Sequence, residues 1–296
     1  MSKSKRFKTF FTHLPYLEIQ ELISYFAVFD GFYDLSRLSQ YEDLMQNIQY
    51  NILAHYHEQK KLFHYTDDTH LQADIETTLH RLAKGTRKHY SIYKDVSQSR
   101  GREIYKILYD LNIIKKEYTR EKPLPRDRGP LKKEFRGYKR EDKIRFSKEY
   151  YRFWYTFIYP HIDDLEKNEY NQTLTEIREN LDYFISSYFE ELSNTLIEDI
   201  YQGEVKELGG YWDKDVEIDL LVKLKDGRQI TGECKWTNHK ISKNILNKLK
   251  KVTQKAGIRA DYYALFCKNG FSKELEKGED KQVLLYDLNA FKRLLS

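Results

Sequence analysis

An α/β (α+β) fold is predicted, with a helical leading region followed by a mixed sheet wrapped in helices. Three observations carry this. Apolar residues recur three and four apart through the first two thirds of the chain. After residue 204 the period changes to two, in VEIDLLVKL and QITGECKW, which flank the turn KDGR with its Asp-Gly pair. A helical segment, KISKNILNKLKKVTQKAG, closed by Gly257, then separates those strands from DYYALFC and a short QVLLYDL. Strands flanked by helices in this way predict an α/β sandwich.

The elements follow in order. Residues 16–62 read as helices in LEIQELISYF and YEDLMQNIQYNILAHYH, with a turn at FDGFYDL where Gly31 is the breaker. HLQADIETTLHRLAKG is an amphipathic helix ending at Gly85, HYSIYKDVS a short second helix, and SRGREIYKILYDLNII a third, with Ile104, Ile107, Leu108 and Leu111 on one face. Strand patterns in IIKKEYT and KIRFS bracket EKPLPRDRGPLKKEFRGYKRED, rich in Pro, Gly and Arg. Three helices and two strands joined by a basic loop give the winged form of helix-turn-helix, whose third helix would enter a major groove. The same fold packing only against a neighbour is the alternative. EYYRFWYTFIYPHIDDLEKN is an aromatic helix stopped near Pro160 and read as core. Acidic helices are expected from about 172 to 202. The boundaries that result are 1–69 for a helical segment, 70–160 for the winged helix and aromatic connector, and 161–296 for the sheet domain.

Composition excludes several classes. Hydrophobic residues make up 40% and charged residues 33% of the 296, enough for a packed core under a charged surface. With 25 Tyr and 16 Phe, disorder is not expected. No run of eighteen apolar residues exists, so no transmembrane helix is expected. MSKSKRFKTFF has basic residues but no apolar core and no small-residue cleavage site, so no secretory signal is read. Two cysteines, Cys234 and Cys267, do not make a disulfide framework, and a cytoplasmic location is the simplest expectation.

Charge is unevenly placed around a net +5. Residues 115–152 hold fifteen Lys/Arg against seven Asp/Glu, while 161–204 hold two against twelve. The basic stretch suits phosphate backbones, with Arg126, Arg128, Lys132 and Lys133 as candidate DNA contacts. The helix over 240–256 carries six Lys and no acid, and adds Lys243 and Lys250. A solvated charged surface is the bland alternative for both. The acidic stretch 161–204 is the candidate surface for a protein partner.

The chemistry concentrates at Asp219, Glu233 and Lys235. Residues i and i+2 of a strand share a face, so Glu233 and Lys235 project together while Cys234 and Trp236 point away. A short hairpin turn brings Asp219 of the preceding strand alongside. Two carboxylates at one place suit Mg²⁺ or Mn²⁺, and an adjacent ammonium can hold a water or a phosphate oxygen. A Glu-x-Lys pair alone is usually solvated. Here both strands are otherwise apolar or small, where an unpaired carboxylate is costly. A further carboxylate is expected from ISSYFEELSNTLIEDIY, with Glu190, Glu191 and Glu198 as candidates, or from Glu217; spacing does not choose among them.

GYWDKDVEIDLLV followed by GECKW resembles the C-terminal domain of the archaeal-type P-loop ATPases, a domain placed in the PD-(D/E)XK nuclease superfamily. RFSKEYYRFWYTFIYP, the stretch LAKGTRKHYSIYKDV with LYDLNIIKKEYTREKPLP, and YFAVFDGFYDL resemble further segments of that family, so the likeness spans roughly 20–296. It implies a winged helix followed by a restriction-endonuclease-like domain. Asp219 would match the aspartate of the family's E-I-D and Glu233 and Lys235 its E-x-K, with Glu190 of YFEE best matching the helix glutamate. Two departures matter. No G-x-x-x-x-G-K-[ST] occurs, so ATP-driven action in cis is not expected. Ile218 precedes Asp219 where the superfamily's name has proline. The resemblance implies a Mg²⁺- or Mn²⁺-dependent deoxyribonuclease. The alternatives are a non-catalytic DNA-binding or regulatory protein on a nuclease scaffold, and a module docking on a separate ATPase.

Overall fold

The computed structural model describes residues 2–121 and 140–296. Arg126, Arg128, Lys132 and Lys133, and the expected wing they belong to, lie outside the described residues. The architecture is of the α/β class, with a helical N-terminal region and a mixed five-stranded sheet. By contacts the chain forms two units, residues 1–117 with 143–185, and residues 118–142 with 186–296.

The first unit begins with α1 (Lys3–His13), α2 (Ile19–Phe29), and the short α3 (Leu44–Ile48) and α4 (Tyr56–Lys60). The helix α1 was not foreseen, because its Lys-rich sequence hides the stripe of Phe7 and Phe10. Both rings meet Phe26 of α2 edge-on, at 5.3 and 5.1 Å, and that burial holds the helix. Gly31, at φ 98°, makes the turn after α2 as expected.

Three helical segments follow, α5 (Thr69–Ala83), a 3₁₀ turn (His89–Lys94) and α6 (Gln98–Asp110). The middle one is 3₁₀ rather than α. Strands β1 (Ile114–Glu117) and β2 (Lys143–Phe146) pair antiparallel, with Ile114 opposite Phe146. The aromatic stretch is core, as its spacing implies, and Tyr150, Trp154 and Tyr155 are fully buried. It does not stop at Pro160: α7 (Glu149–Phe153) passes through a π turn (Trp154–Ile158) and a 3₁₀ turn (Tyr159–His161) into α8 (Ile162–Glu166). Widening and tightening of the helix accommodate the proline, which sits where a first-turn N–H needs no partner. The acidic helices expected over 172–202 are a single helix, α9 (Asn171–Ile200), whose residues to 185 belong to this unit.

The second unit is built on strands β3 (Val205–Trp212), β4 (Glu217–Leu224), β5 (Gln229–Lys235), β6 (Tyr262–Cys267) and β7 (Val283–Tyr286), in that order across the sheet. The first three are antiparallel, and β5, β6 and β7 run parallel. A parallel pair needs a crossover, supplied between β5 and β6 by α10 (Lys243–Lys255), while α11 (Lys273–Glu276) precedes β7. On one face Leu246 and Leu249 of α10 pack with Ile218, Leu221 and Leu265, and the Thr253 and Thr231 hydroxyls bond at 3.1 Å. On the other face Phe189 meets Trp236 at 5.2 Å, and Phe291 of the closing 3₁₀ segment (Leu288–Leu295) at 5.0 Å. The sheet is therefore sandwiched as expected.

Strand β3 was not foreseen, because Gly209 and Gly210 interrupt its pattern and most of it is only half-buried. Residues 118–121 complete its outer edge. Arg120 N–H donates to Gly210 O at 3.0 Å, and the buried Thr119 hydroxyl donates to Trp212 O at 2.7 Å while accepting from Trp212 N–H at 2.9 Å. An otherwise open strand edge is thus satisfied.

One buried charge in the first unit sets a pH dependence. Asp30 is 4% exposed, with Arg6 at 3.0 Å. Burial pushes its carboxyl up to about 6, with Arg6 opposing and Glu149 adding to the rise. A raised carboxyl binds its proton more tightly folded than unfolded, so its contribution to stability falls as pH climbs from about 4 through 6. Asp30→Asn should gain on the parent by about 2.4 kcal/mol between pH 4 and pH 7, most of the linkage of a shift from 3.8 to about 6. Urea melts of both proteins at the two pH values check this; a stability difference that stays flat with pH would contradict it.

Candidate active site

The hairpin register decides which side chains meet. Leu220 pairs with Gly232 and Leu221 with Thr231, so Asp219 and Glu233 come next on their strands. The backbone N–H of Cys234 donates to Asp219 Oδ2 at 2.9 Å, which lays the aspartate against β5 beside Glu233. Lys235 Nζ reaches Glu233 Oε1 at 2.5 Å across the i, i+2 spacing. The Glu233 side chain is 13% exposed and that of Lys235 31%, so the cluster is sheltered but open to solvent on the lysine side. Cys234 points the other way, to the Ser193 hydroxyl of α9, and Trp236 packs on Phe189. Both cysteines are free and buried.

The electrostatics follow from this crowding. Burial pushes the Asp219 carboxyl up to about 8, helped by the charges of Glu190 and then Glu233, with the Cys234 N–H and Lys235 opposing. Burial pulls the Lys235 ammonium down, but its bond to Glu233 and the charges of Glu233 and Asp219 outweigh that and leave it raised. Burial, then Asp219, raises the Cys234 thiol, so it is no nucleophile.

Of the acids left open by spacing, Glu190 is the one whose charge is felt at Asp219. Glu190 and Glu191 are half-buried, while Glu198 and Glu217 are exposed. Among the described residues no group of three or more His, Cys, Asp or Glu side chains is gathered closely enough to hold a metal ion. Asp219 and Glu233 thus offer a two-carboxylate site. That suits Mg²⁺, which retains several waters and needs only one or two protein carboxylates. The donors are hard oxygens, and a half-buried acid cluster gains most from a cation. The residues present fit such an ion.

The two lysines expected to meet DNA from α10 are both paired with acids. Lys243 bonds Glu274 at 2.9 Å, and Lys250 bonds Asp280 at 3.0 Å while its ammonium lies over the Tyr263 ring at 5.1 Å. The acids lie thirty-one and thirty residues downstream, beyond any local pattern. The exposed lysines of that helix are Lys243, Lys248, Lys251 and Lys255.

Residues 154–251 match the DUF234 family model, described as archaeal and bacterial proteins of unknown function. The matched stretch contains Glu190, Asp219, Glu233 and Lys235. No curated protein and no solved structure matches the chain.

The electrostatic account predicts a titration. In metal-free protein, carbon-13 NMR should place the Asp219 carboxyl midpoint well above the usual carboxylate range. Glu190→Gln removes a like charge and should lower it. A midpoint near 4 in the parent, the ordinary aspartate value, would mean the acids are not crowded as described.

Proposed function

We propose that this chain is a Mg²⁺- or Mn²⁺-dependent deoxyribonuclease, an endonuclease hydrolysing DNA phosphodiester bonds. The observation that carries it is the convergence of Asp219, Glu233 and Lys235 at one point of a mixed sheet, with the Asp219 carboxyl held far above its usual range. Perturbed carboxylates beside a lysine in a half-sheltered place favour catalysis over a solvated pair.

Asp219 and Glu233 would hold the ion, with the charge of Glu190 adding to the attraction. When bound, it supplies a water of lowered pKa and neutralises charge building on the phosphate. Lys235 is placed to orient the attacking water or to donate to a phosphate oxygen, once its bond to Glu233 relaxes. The Cys234 N–H fixes Asp219 against β5, so the acid is positioned before substrate arrives.

Targeting is assigned to residues 69–146, whose three helical segments and paired strands β1 and β2 have the element order of a winged helix. The basic segment 115–152 is proposed to meet phosphates, and the acidic region 161–204 a protein partner. A cytoplasmic setting accords with two free thiols. The second reading is a non-catalytic DNA-binding or regulatory protein on the same scaffold, or a module docked on a separate ATPase; it is favoured by the absence, among the described residues, of a three-acid metal cluster.

Plasmid DNA incubated with Mg²⁺ or Mn²⁺ should be nicked or linearised, and chelation should stop it. Lys235→Ala should lower the rate roughly a hundredfold or more. Asp219→Asn should abolish cleavage while DNA binding persists or tightens, since one negative charge leaves the site. Cleavage by Asp219→Asn at the parent's rate would remove the metal-site assignment and leave the scaffold reading.

A further inference from the structure

Besides the carboxylate cluster, the second unit has a cavity of about 740 Å³. It opens where β4 and β5 begin their hairpin and α10 ends. Leu221, Lys223 and Gln229 line it, and strand alternation puts Gln229 on the face of β5 that also carries Glu233 and Lys235. Its chemistry is divided. Leu221, Ala256 and Ile258 give apolar lining, and three arginines, Arg120, Arg140 and Arg259, give planar cationic donors.

Three acids, Glu121, Glu207 and Asp213, also line it. Asp213 accepts the Tyr211 hydroxyl at 2.8 Å and the backbone N–H groups of Asp215 and Val216. Glu207 faces Lys223 at 3.7 Å. The arginines are less satisfied. Arg120 donates to Leu208 O, yet its Nε is buried without an acceptor. Among the described residues Arg140 donates to Glu121 O at 2.9 Å, and Arg259 is exposed with no ion pair. A buried donor without a partner is costly, and a ligand oxygen would relieve it. Gly209 permits this placement: at φ 153° it lies under the guanidinium, and a Cβ there would come within 3.0 Å of Arg120 Nε.

A second, separate feature leads to the cavity. Lys248, Lys251 and Lys255 are exposed on α10 at helical spacing, and Arg259 follows them, with no acid between residues 240 and 260. A line of cations ending in a cavity of mixed apolar and guanidinium lining suits a polyanion with flat apolar groups along it. A cavity of this size accepts one nucleotide and not a duplex.

We infer that this cavity is a binding site for an unpaired nucleic-acid strand, with phosphates on Arg140 and Arg259 and a base on the Leu221, Ala256 and Ile258 surface. The inference rests on the nuclease reading for its meaning, since it makes the substrate a nucleic acid with a single-stranded part. The strand would lie along the face of β5 that bears Glu233 and Lys235.

The test is binding without cleavage. Labelled oligothymidylate, oligouridylate and a duplex of equal length are titrated by fluorescence anisotropy into the full chain with EDTA, at several salt concentrations. The unpaired strands should bind tighter than the duplex. Arg140→Ala/Arg259→Ala alters two exposed side chains, so the fold is spared. It should weaken unpaired-strand binding about tenfold or more. It should also flatten the slope of log affinity against log salt by roughly 1.4, two phosphate contacts at about 0.7 each. Unchanged affinity in that variant, equal affinity for duplex, or polyglutamate held as tightly through the same arginines would overturn the inference. The two proposals fail separately. Arginine-dependent binding with no cleavage by the parent removes the nuclease reading and keeps the cavity. Metal-dependent cleavage with a neutral double variant does the reverse.

Discussion

The register of β4 against β5 is the constraint on which the site depends. Pairing Leu220 with Gly232 puts Asp219 and Glu233 side by side, and the Cys234 N–H locks the aspartate in that position. A slip of one residue would turn Glu233 and Lys235 to the opposite face and leave Asp219 buried alone. The register is itself overdetermined. The turn at Gly227 fixes the hairpin, Leu221 is matched to α10, and Cys234 and Trp236 are matched to Ser193 and Phe189 of α9. Packing on both faces thus holds an unfavourable set of like charges in place. Asp219 feels the like charges of Glu190 and Glu233, and the Cys234 N–H and Lys235 oppose them. That is strain of the kind expected where a cation or a developing positive charge is to be received.

Much of this was legible in the sequence because it is local. The i, i+2 spacing of Glu233 and Lys235, the Asp-Gly turn and the apolar strands around them fix the site with no long-range information. The helix α10 and its glycine stop were readable for the same reason. The aromatic run 149–159 was correctly read as core, but not its passage through Pro160, since π and 3₁₀ turns leave no periodic signature.

What was not legible depends on distant partners. Strand β3 exists because β4 offers it an edge and residues 118–121 close its other side, and no pattern within VKELGGYW announces that. The pairing of Lys243 with Glu274 and of Lys250 with Asp280 joins segments far apart in the chain, and no local pattern announces it. Spacing left Glu190, Glu191 and Glu198 open, and the choice of Glu190 came from the family resemblance, with which its charge at Asp219 accords. The cavity joins Arg120 and Arg140 with Arg259, more than a hundred residues apart in sequence. Only the return of segment 118–142 to the second unit assembles it.

The central claim is that Asp219 and Glu233 form one divalent-cation site, and it can be measured without any substrate. Mn²⁺ titrated into metal-free protein and followed by electron paramagnetic resonance should bind saturably at one ion per chain, with Glu233→Gln losing that site and Lys243→Ala retaining it. Absence of saturable binding in the parent, or the same binding in Glu233→Gln, would contradict the account.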